Sequence, residues 1–309
     1  KIKVHSTGFG FLGPFLAFFV EPNEKQLAKK SKVSQMAVLA SGTFANVLVS
    51  IIVAIVLSLF FIGAFTPAGV NFNAYASSVV NVSQIDEVNG IPITNIKNIP
   101  NILNDSIAEI KIKENKYYVN PSSLNLSINE NIELIQVIDD SPAFNARIEG
   151  AISQINGEKI TSLDNLVETL QSHNPGDVVE IKTLYQQSVR VNKVEERIYT
   201  VQLDERDGRT FLGIGVIPVK PSGILGTFYY LISSIKDPVI FYKSSLGSFG
   251  WFVYYFLWWT LVICISVALV NMLPVGIFDG GRFFYLTIWG IKKNEKIGRK
   301  AFSFSTWFI

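Results

Sequence analysis

The chain has 309 residues, 49% of them hydrophobic, with a mean hydropathy of +0.32 and a formal net charge of +2. So apolar a composition is uncommon for a soluble globular domain, and so small a net charge excludes nucleic acid as an expected partner. The one cysteine, Cys264, lies in an apolar run, so an exterior part of the chain would hold no disulfide.

In chain order, the first element is Ser6–Val20, an apolar stretch bounded by His5 and Glu21. It is too short to cross a bilayer. Gly8, Gly10, Gly13 and Pro14 disfavour a helix, and the alternating Phe9, Phe11 and Phe15 fit an extended hairpin. Non-helical backbone at membrane depth survives only against protein or a water-filled cavity, so the stretch reads as a re-entrant hairpin or an interfacial loop. After Lys32 the next charge is Asp86. The apolar part, Met36–Phe65, exceeds the roughly 20 residues a spanning helix needs and is too long and internal for a signal peptide. Ser41, Gly42 and Ala45 permit close helix contact, and Asn46 within a span wants a partner. Plain helix packing and a functional cavity are both open for Asn46.

Residues 70–220 are polar and contain a repeat. "IDEVNGIPITNIKNI" from Ile85 matches "ISQINGEKITSLDNL" from Ile152. Each reads as strand, Asn-Gly turn, strand and helix start. In the second copy Thr161 and Asp164 form a capping-box pattern, and Leu163, Leu166, Val167 and Leu170 make a helical apolar face. The alternatives are two small β-rich modules in tandem or chance similarity of two common hairpins. Gly223–Ile235 is short and aromatic enough for a membrane interface. A second span is predicted over Phe249–Phe278. It is followed by Asp279, a short apolar piece (Phe283–Ile291) and a basic loop. Lys29, Lys30 and Lys32 before the first span, and Arg282, Lys292, Lys293, Lys296, Arg299 and Lys300 after the second, predict cytoplasmic flanks and an exterior repeat region.

Asp279 is the first charge after Lys243. A carboxylate at the edge of so apolar a run needs water, a basic partner or a metal, and Arg282 is the nearest basic candidate. Pro274 breaks a helix. Gly276, Gly280 and Gly281 let backbone approach other groups closely. A broken helix, a carboxylate and glycines together have the makings of an intramembrane site.

These residues carry a resemblance. "NMLPVGIFDGGR" (Asn271–Arg282) resembles the second metal motif of the site-2 protease family of intramembrane zinc metalloproteases. "SGTFANVL" is similar to that family's G-x-x-x-N segment, and "STGFGFLGPFLAFFVEP" to its membrane-embedded hairpin. "DDSPAFNARIEGAISQINGEKITSLDNLVETLQ" resembles a PDZ domain. The matches follow the family's order over nearly the whole chain, and the pattern is most similar to archaeal members. The resemblance implies an α-helical multi-spanning membrane protein with an inserted α+β PDZ-like extracytoplasmic region. Its expected parts are a hairpin and cytoplasmic loop (1–35), a transmembrane helix (36–66), two PDZ-like modules (70–135 and 136–220), an interfacial segment (223–248), a motif-bearing transmembrane helix (249–282) and the start of further membrane segments (283–309).

The resemblance also implies a chemistry. Asp279 would be one ligand of Zn²⁺, joined by two histidines, with an open position for water. Asn271 or Asn46 would hydrogen-bond substrate backbone or the developing oxyanion. The hairpin residues Gly8, Phe9, Gly10 and Phe11 would pair with an unwound substrate strand. Expected partners are transmembrane protein substrates, the lipid bilayer and a peptide ligand of the PDZ-like region. The family's H-E-x-x-H is missing from the sequence. Neither His5 nor His173 replaces it, and the motif is expected shortly before Lys1, in a longer protein of which this chain is a piece. The competing readings are a non-catalytic, membrane-anchored PDZ-like adaptor and a transporter with a broken helix at Asp279.

Overall fold

The computed structural model describes residues 2–12, 15–103, 106–188, 191–216, 222, 223, 226, 230 and 235–308. For residues 11, 12, 15–19, 187, 188, 191–193 and 308 it describes the backbone alone. Two compact units emerge: Lys1–Gly63 with Phe249–Ile309, and Ala64–Ser248.

The first unit opens with strands β1 (Val4–Leu12) and β2 (Phe15–Pro22), paired antiparallel with Gly8 opposite Phe19 and Gly10 opposite Ala17. Helix α1 (Glu24–Ala28) is capped by Asn23, whose side chain accepts from the Gln26 amide. Helix α2 (Lys32–Ala64) is one of two helices among the described residues long and apolar enough to cross a membrane, and only 22% of its most apolar stretch is buried. A helix of that composition left so bare needs an apolar surrounding, and lipid supplies one.

Among its described residues the second unit holds two six-stranded sheets and two two-stranded ones. Its strands in chain order are β3 (Phe65–Val70), β4 (Ala74–Tyr75), β5 (Ser77–Asn81), β6 (Glu87–Val88), β7 (Ile91–Pro92), β8 (Ala108–Ile112), β9 (Asn115–Val119), β10 (Leu134–Asp139), β11 (Ala151–Ile155), β12 (Glu158–Lys159), β13 (Val178–Ser188), β14 (Val191–Gln202), β15 (Asp204–Arg206), β16 (Arg209–Phe211), β17 (Ile214–Gly215) and β18 (Ile240–Ser244). Helices α3 (Pro121–Asn129), α4 (Pro142–Asn145) and α5 (Leu163–Gln171) accompany them.

One large sheet runs β5-β10-β9-β8-β6-β7, over a core of Val88, Ile99, Ile110, Leu124 and Val137. Strand β8 buries alternate residues, as a half-buried strand must. The other large sheet runs β14-β13-β11-β3-β18, over Val70, Ile152, Ile155, Leu166 and Ile181. Both copies of the repeat turn on Asn-Gly pairs with positive φ (Asn89 and Gly90, Asn156 and Gly157), the geometry of a tight hairpin.

Tertiary pairing moves several predicted boundaries. A division at 135/136 would cut β10, which belongs with the first sheet. Strand β4 pairs with β17, and β3 joins the second sheet, so the first module is inserted between β4 and α4 of the second. Residues 240–244, expected in an interfacial segment, form β18 against β3. Most of Gly223–Ile235 lies outside the described residues. The cap of α5 is Ser162, not Thr161: its hydroxyl accepts from the Asn165 amide.

Returning to the first unit, α6 (Gly247–Asn271) is the second helix able to cross a membrane, with 11% of its most apolar stretch buried. It stops at Asn271 rather than reaching Phe278. Asp279 therefore lies not on this helix but at the first position of a new one, α7 (Asp279–Lys292), followed by α8 (Glu295–Phe308).

Candidate functional site

The break between α6 and α7 is held backbone against backbone. A Cβ on Gly280 would lie 2.3 Å from the Met272 carbonyl carbon, and one on Gly281 would lie 2.2 Å from the Val275 oxygen. No side chain fits either place, so both glycines are required by close approach. This contact sets Asn271–Met272 beside Asp279–Gly280. Helix α8 braces the loop: Ser305 donates to the Pro274 carbonyl at 2.8 Å, and a Cβ on Gly276 would touch the Phe302 ring at 3.2 Å.

Asp279 is exposed, and among the described residues its carboxylate has no hydrogen-bond or ion-pair partner. Arg282 turns elsewhere, to Glu24 of α1 at 3.4 Å, so the Asp279–Arg282 pair considered from the sequence is not formed. The start of α7 is a favourable place for negative charge, because the first amides of a helix point their positive ends at it.

Three contacts place α2 relative to this break. Lys32 lies 3.9 Å above the Trp289 ring, and the Thr287 hydroxyl is 3.4 Å from the Met36 sulfur, so α2 and α7 run antiparallel. The Phe61 and Tyr254 rings are 5.6 Å apart on α2 and α6. At about 1.5 Å of rise per residue, Asp279 counted back from Thr287 falls level with residue 44 of α2. Asn271 counted on from Tyr254 falls at the same level. Asn46 is within one helical turn of it. The structure thus brings Asp279 and Asn271 together directly, and by residue count alone Asn46 falls near their level. Among the described residues neither asparagine side chain has a hydrogen-bond partner. The neighbouring Thr43 hydroxyl, which the sequence did not single out, is also buried without one. Gly42 does not serve close packing among the described residues, since a Cβ there would meet nothing within 4 Å.

The hairpin residues stand apart from this cluster in kind. Phe9 is 66% exposed and a Cβ on Gly10 would meet open space. The side chain of Phe11, and Gly13 and Pro14, lie outside the described residues. His173 is occupied at the end of α5, contacting the Thr169 carbonyl at 2.8 Å and the Asn156 amide nitrogen at 3.0 Å. His5 is exposed on β1. Among the described residues no group of three metal-binding side chains forms. A carboxylate such as that of Asp279 has the chemistry of one ligand to a cation, and among the described residues no further ligands gather beside it. Glu24 and Ser305 left no local signal, since their partners are far away in sequence.

A family model for peptidase family M50 matches residues 3–308. The chain is also 24% identical over 162 residues to the zinc metalloprotease RasP of Geobacillus kaustophilus (strain HTA426), an alignment covering 45% of this chain. It spans 37% of that relative's length. With a match over nearly all its length, the chain belongs to peptidase family M50, the site-2 protease family.

Proposed function

We propose that this chain is the Asp279-bearing part of an intramembrane zinc endopeptidase that cleaves transmembrane segments of other proteins. The observation that carries the reading is the backbone contact of Gly280 and Gly281 with Met272 and Val275. It sets beside Asn271 a carboxylate that has no partner among the described residues. In this reading Asp279 is a zinc ligand and the two histidines and the glutamate lie outside these 309 residues. Bound zinc supplies a Lewis acid that polarises a scissile carbonyl. The chain's own residues position and stabilise. Asn271 and Asn46 offer amide donors to substrate backbone or to charge developing on its carbonyl oxygen. The exposed hairpin β1–β2 offers an edge for an unwound substrate strand.

The second module is read as PDZ-like and exterior, with Lys29, Lys30, Lys292 and Lys293 on the cytoplasmic side. The exposed Leu163 and Val167 on α5 then form the apolar wall on which a peptide would rest. The test is Asp279→Asn in the full-length protein, with zinc content and cleavage of a membrane substrate measured together. Loss of both supports the reading. Full zinc content and cleavage at the wild-type rate remove Asp279 from the metal site. The second reading is a non-catalytic membrane-anchored adaptor. A full-length protein that holds no zinc would establish it.

A further inference from the structure

In the second unit four lysines are paired, Lys111 with Glu87, Lys116 with Glu109, Lys182 with Glu180 and Lys243 with Glu196, while Lys97, Lys113 and Lys159 are exposed with side chains that have no acidic partner among the described residues. Lys3, Lys29, Lys30, Lys292, Lys293 and Lys296 are exposed, and among the described residues none has an acidic partner. A charge bias that merely orients a span needs no particular geometry. Here the geometry is specific.

Lys3, Lys29 and Lys30 line one open cleft of about 660 Å³ with Ile2 and Gln26. The frame around it is hydrogen-bonded. The Lys3 amide donates to Gln26 Oε1 at 3.0 Å, and the Asn23 amide donates to the Lys3 carbonyl at 2.9 Å. The buried Gln35 donates from Nε2 to the carbonyls of Ala28 and Lys30, at 3.3 and 3.0 Å, and so fixes the corner that presents Lys29 and Lys30. Lys32 over Trp289 brings this corner beside the end of α7, where Lys292 and Lys293 follow. Bare apolar side chains interleave with the charges: Val4 is 57% exposed, Val33 71% and Ile291 69%. Unpaired cations on a rigid frame, bordered by exposed aliphatic groups, match a ligand with an anionic phosphate and an acyl chain.

We propose that the cleft of Lys3, Gln26, Lys29 and Lys30 binds the phosphate headgroup of an anionic phospholipid from the adjoining leaflet. Because Lys3 leads directly into β1, a bound headgroup would hold the base of the β1–β2 hairpin.

The test uses the full-length protein in nanodiscs of phosphatidylcholine with a minor fraction of phosphatidylglycerol. Native mass spectrometry then counts phosphatidylglycerol kept per chain after mild delipidation. Lys29→Gln with Lys30→Gln should reduce retention about fivefold for each lysine. Lys29→Arg with Lys30→Arg should keep it, and Lys182→Gln on β13 should leave it unchanged. Lys25, Lys32 and the lysines after α7 preserve the orienting bias in every variant. Lys3→Gln is an independent probe from the other wall and should also lose retention. Equal retention by wild type and both glutamine variants would overturn the proposal, leaving the lysines a topological role only. So would displacement of the lipid by inorganic phosphate at equal concentration, which would make free phosphate the ligand.

Discussion

The Arg282 guanidinium lies 3.4 Å from the Glu24 carboxylate of α1, and not against Asp279 three residues before it on the same helix. The nearest cation in sequence is thus held by another element, and among the described residues nothing pairs with the Asp279 oxygens. Arg282→Gln should therefore change zinc content and cleavage by no more than about fivefold, since an exposed ion pair contributes at most about 1 kcal/mol. Asp279→Asn should lower cleavage by more than about a hundredfold, beyond the loss seen when a group merely supporting a ligand is removed. Similar losses for both variants, measured on one membrane substrate, would return Arg282 to the site.

Gly281→Ala should lower the thermal midpoint and abolish cleavage together. Its new methyl would overlap the Val275 carbonyl oxygen, and overlap in a packed place costs about 1–3 kcal/mol. Unfolding in detergent micelles, followed by circular dichroism, reads the shift. A variant with wild-type stability would mean the loop relaxes without help from the glycine.

Gly42→Ala should act with the opposite sign. The position sits inside α2 with open space around it, so exchanging glycine for alanine in a helix should stabilise by about 0.5–1 kcal/mol. Destabilisation in the same assay would reveal a helix packed on Gly42 from residues not described here.

At the junction of the two modules of the second unit, Asp139 is 7% exposed and accepts from Arg206 at 2.6 Å, while its other oxygen is buried without a partner among the described residues. Removing the arginine strands a buried carboxylate; removing the carboxylate leaves a half-exposed arginine to water. Arg206→Ala should therefore cost about 1–3 kcal/mol and Asp139→Ala less. Hydrogen exchange on β10 reads the difference, and equal effects would contradict the asymmetry.

Ser305→Ala removes the brace on the Pro274 carbonyl and should cost about 1 kcal/mol. Faster exchange confined to Val275 and Phe278 is the expected signature, and unchanged exchange there would show that α8 does not hold the loop.

Much of this molecule follows from local pattern. Length and hydropathy alone mark α2 and α6, because a spanning helix is defined by a continuous apolar run. Asn-Gly pairs mark both hairpins of the repeat, because only residues tolerating positive φ make so tight a turn. Asp279 stands out by its charge at the edge of an apolar stretch, and Pro274 by what it does to a helix. Other features depend on partners remote in the chain. Strand β18 needs β3, more than 150 residues earlier, before its backbone groups are paired. The insertion of the first module between β4 and α4 rests on β4 meeting β17. Glu24 and Ser305 are ordinary polar residues until folding sets them against Arg282 and Pro274. The meeting of Asn271 with Asp279 exists only once Gly280 and Gly281 lie against Met272 and Val275. Periodicity records which face of an element avoids water; which element covers that face, and at what register, is settled by packing across the whole fold.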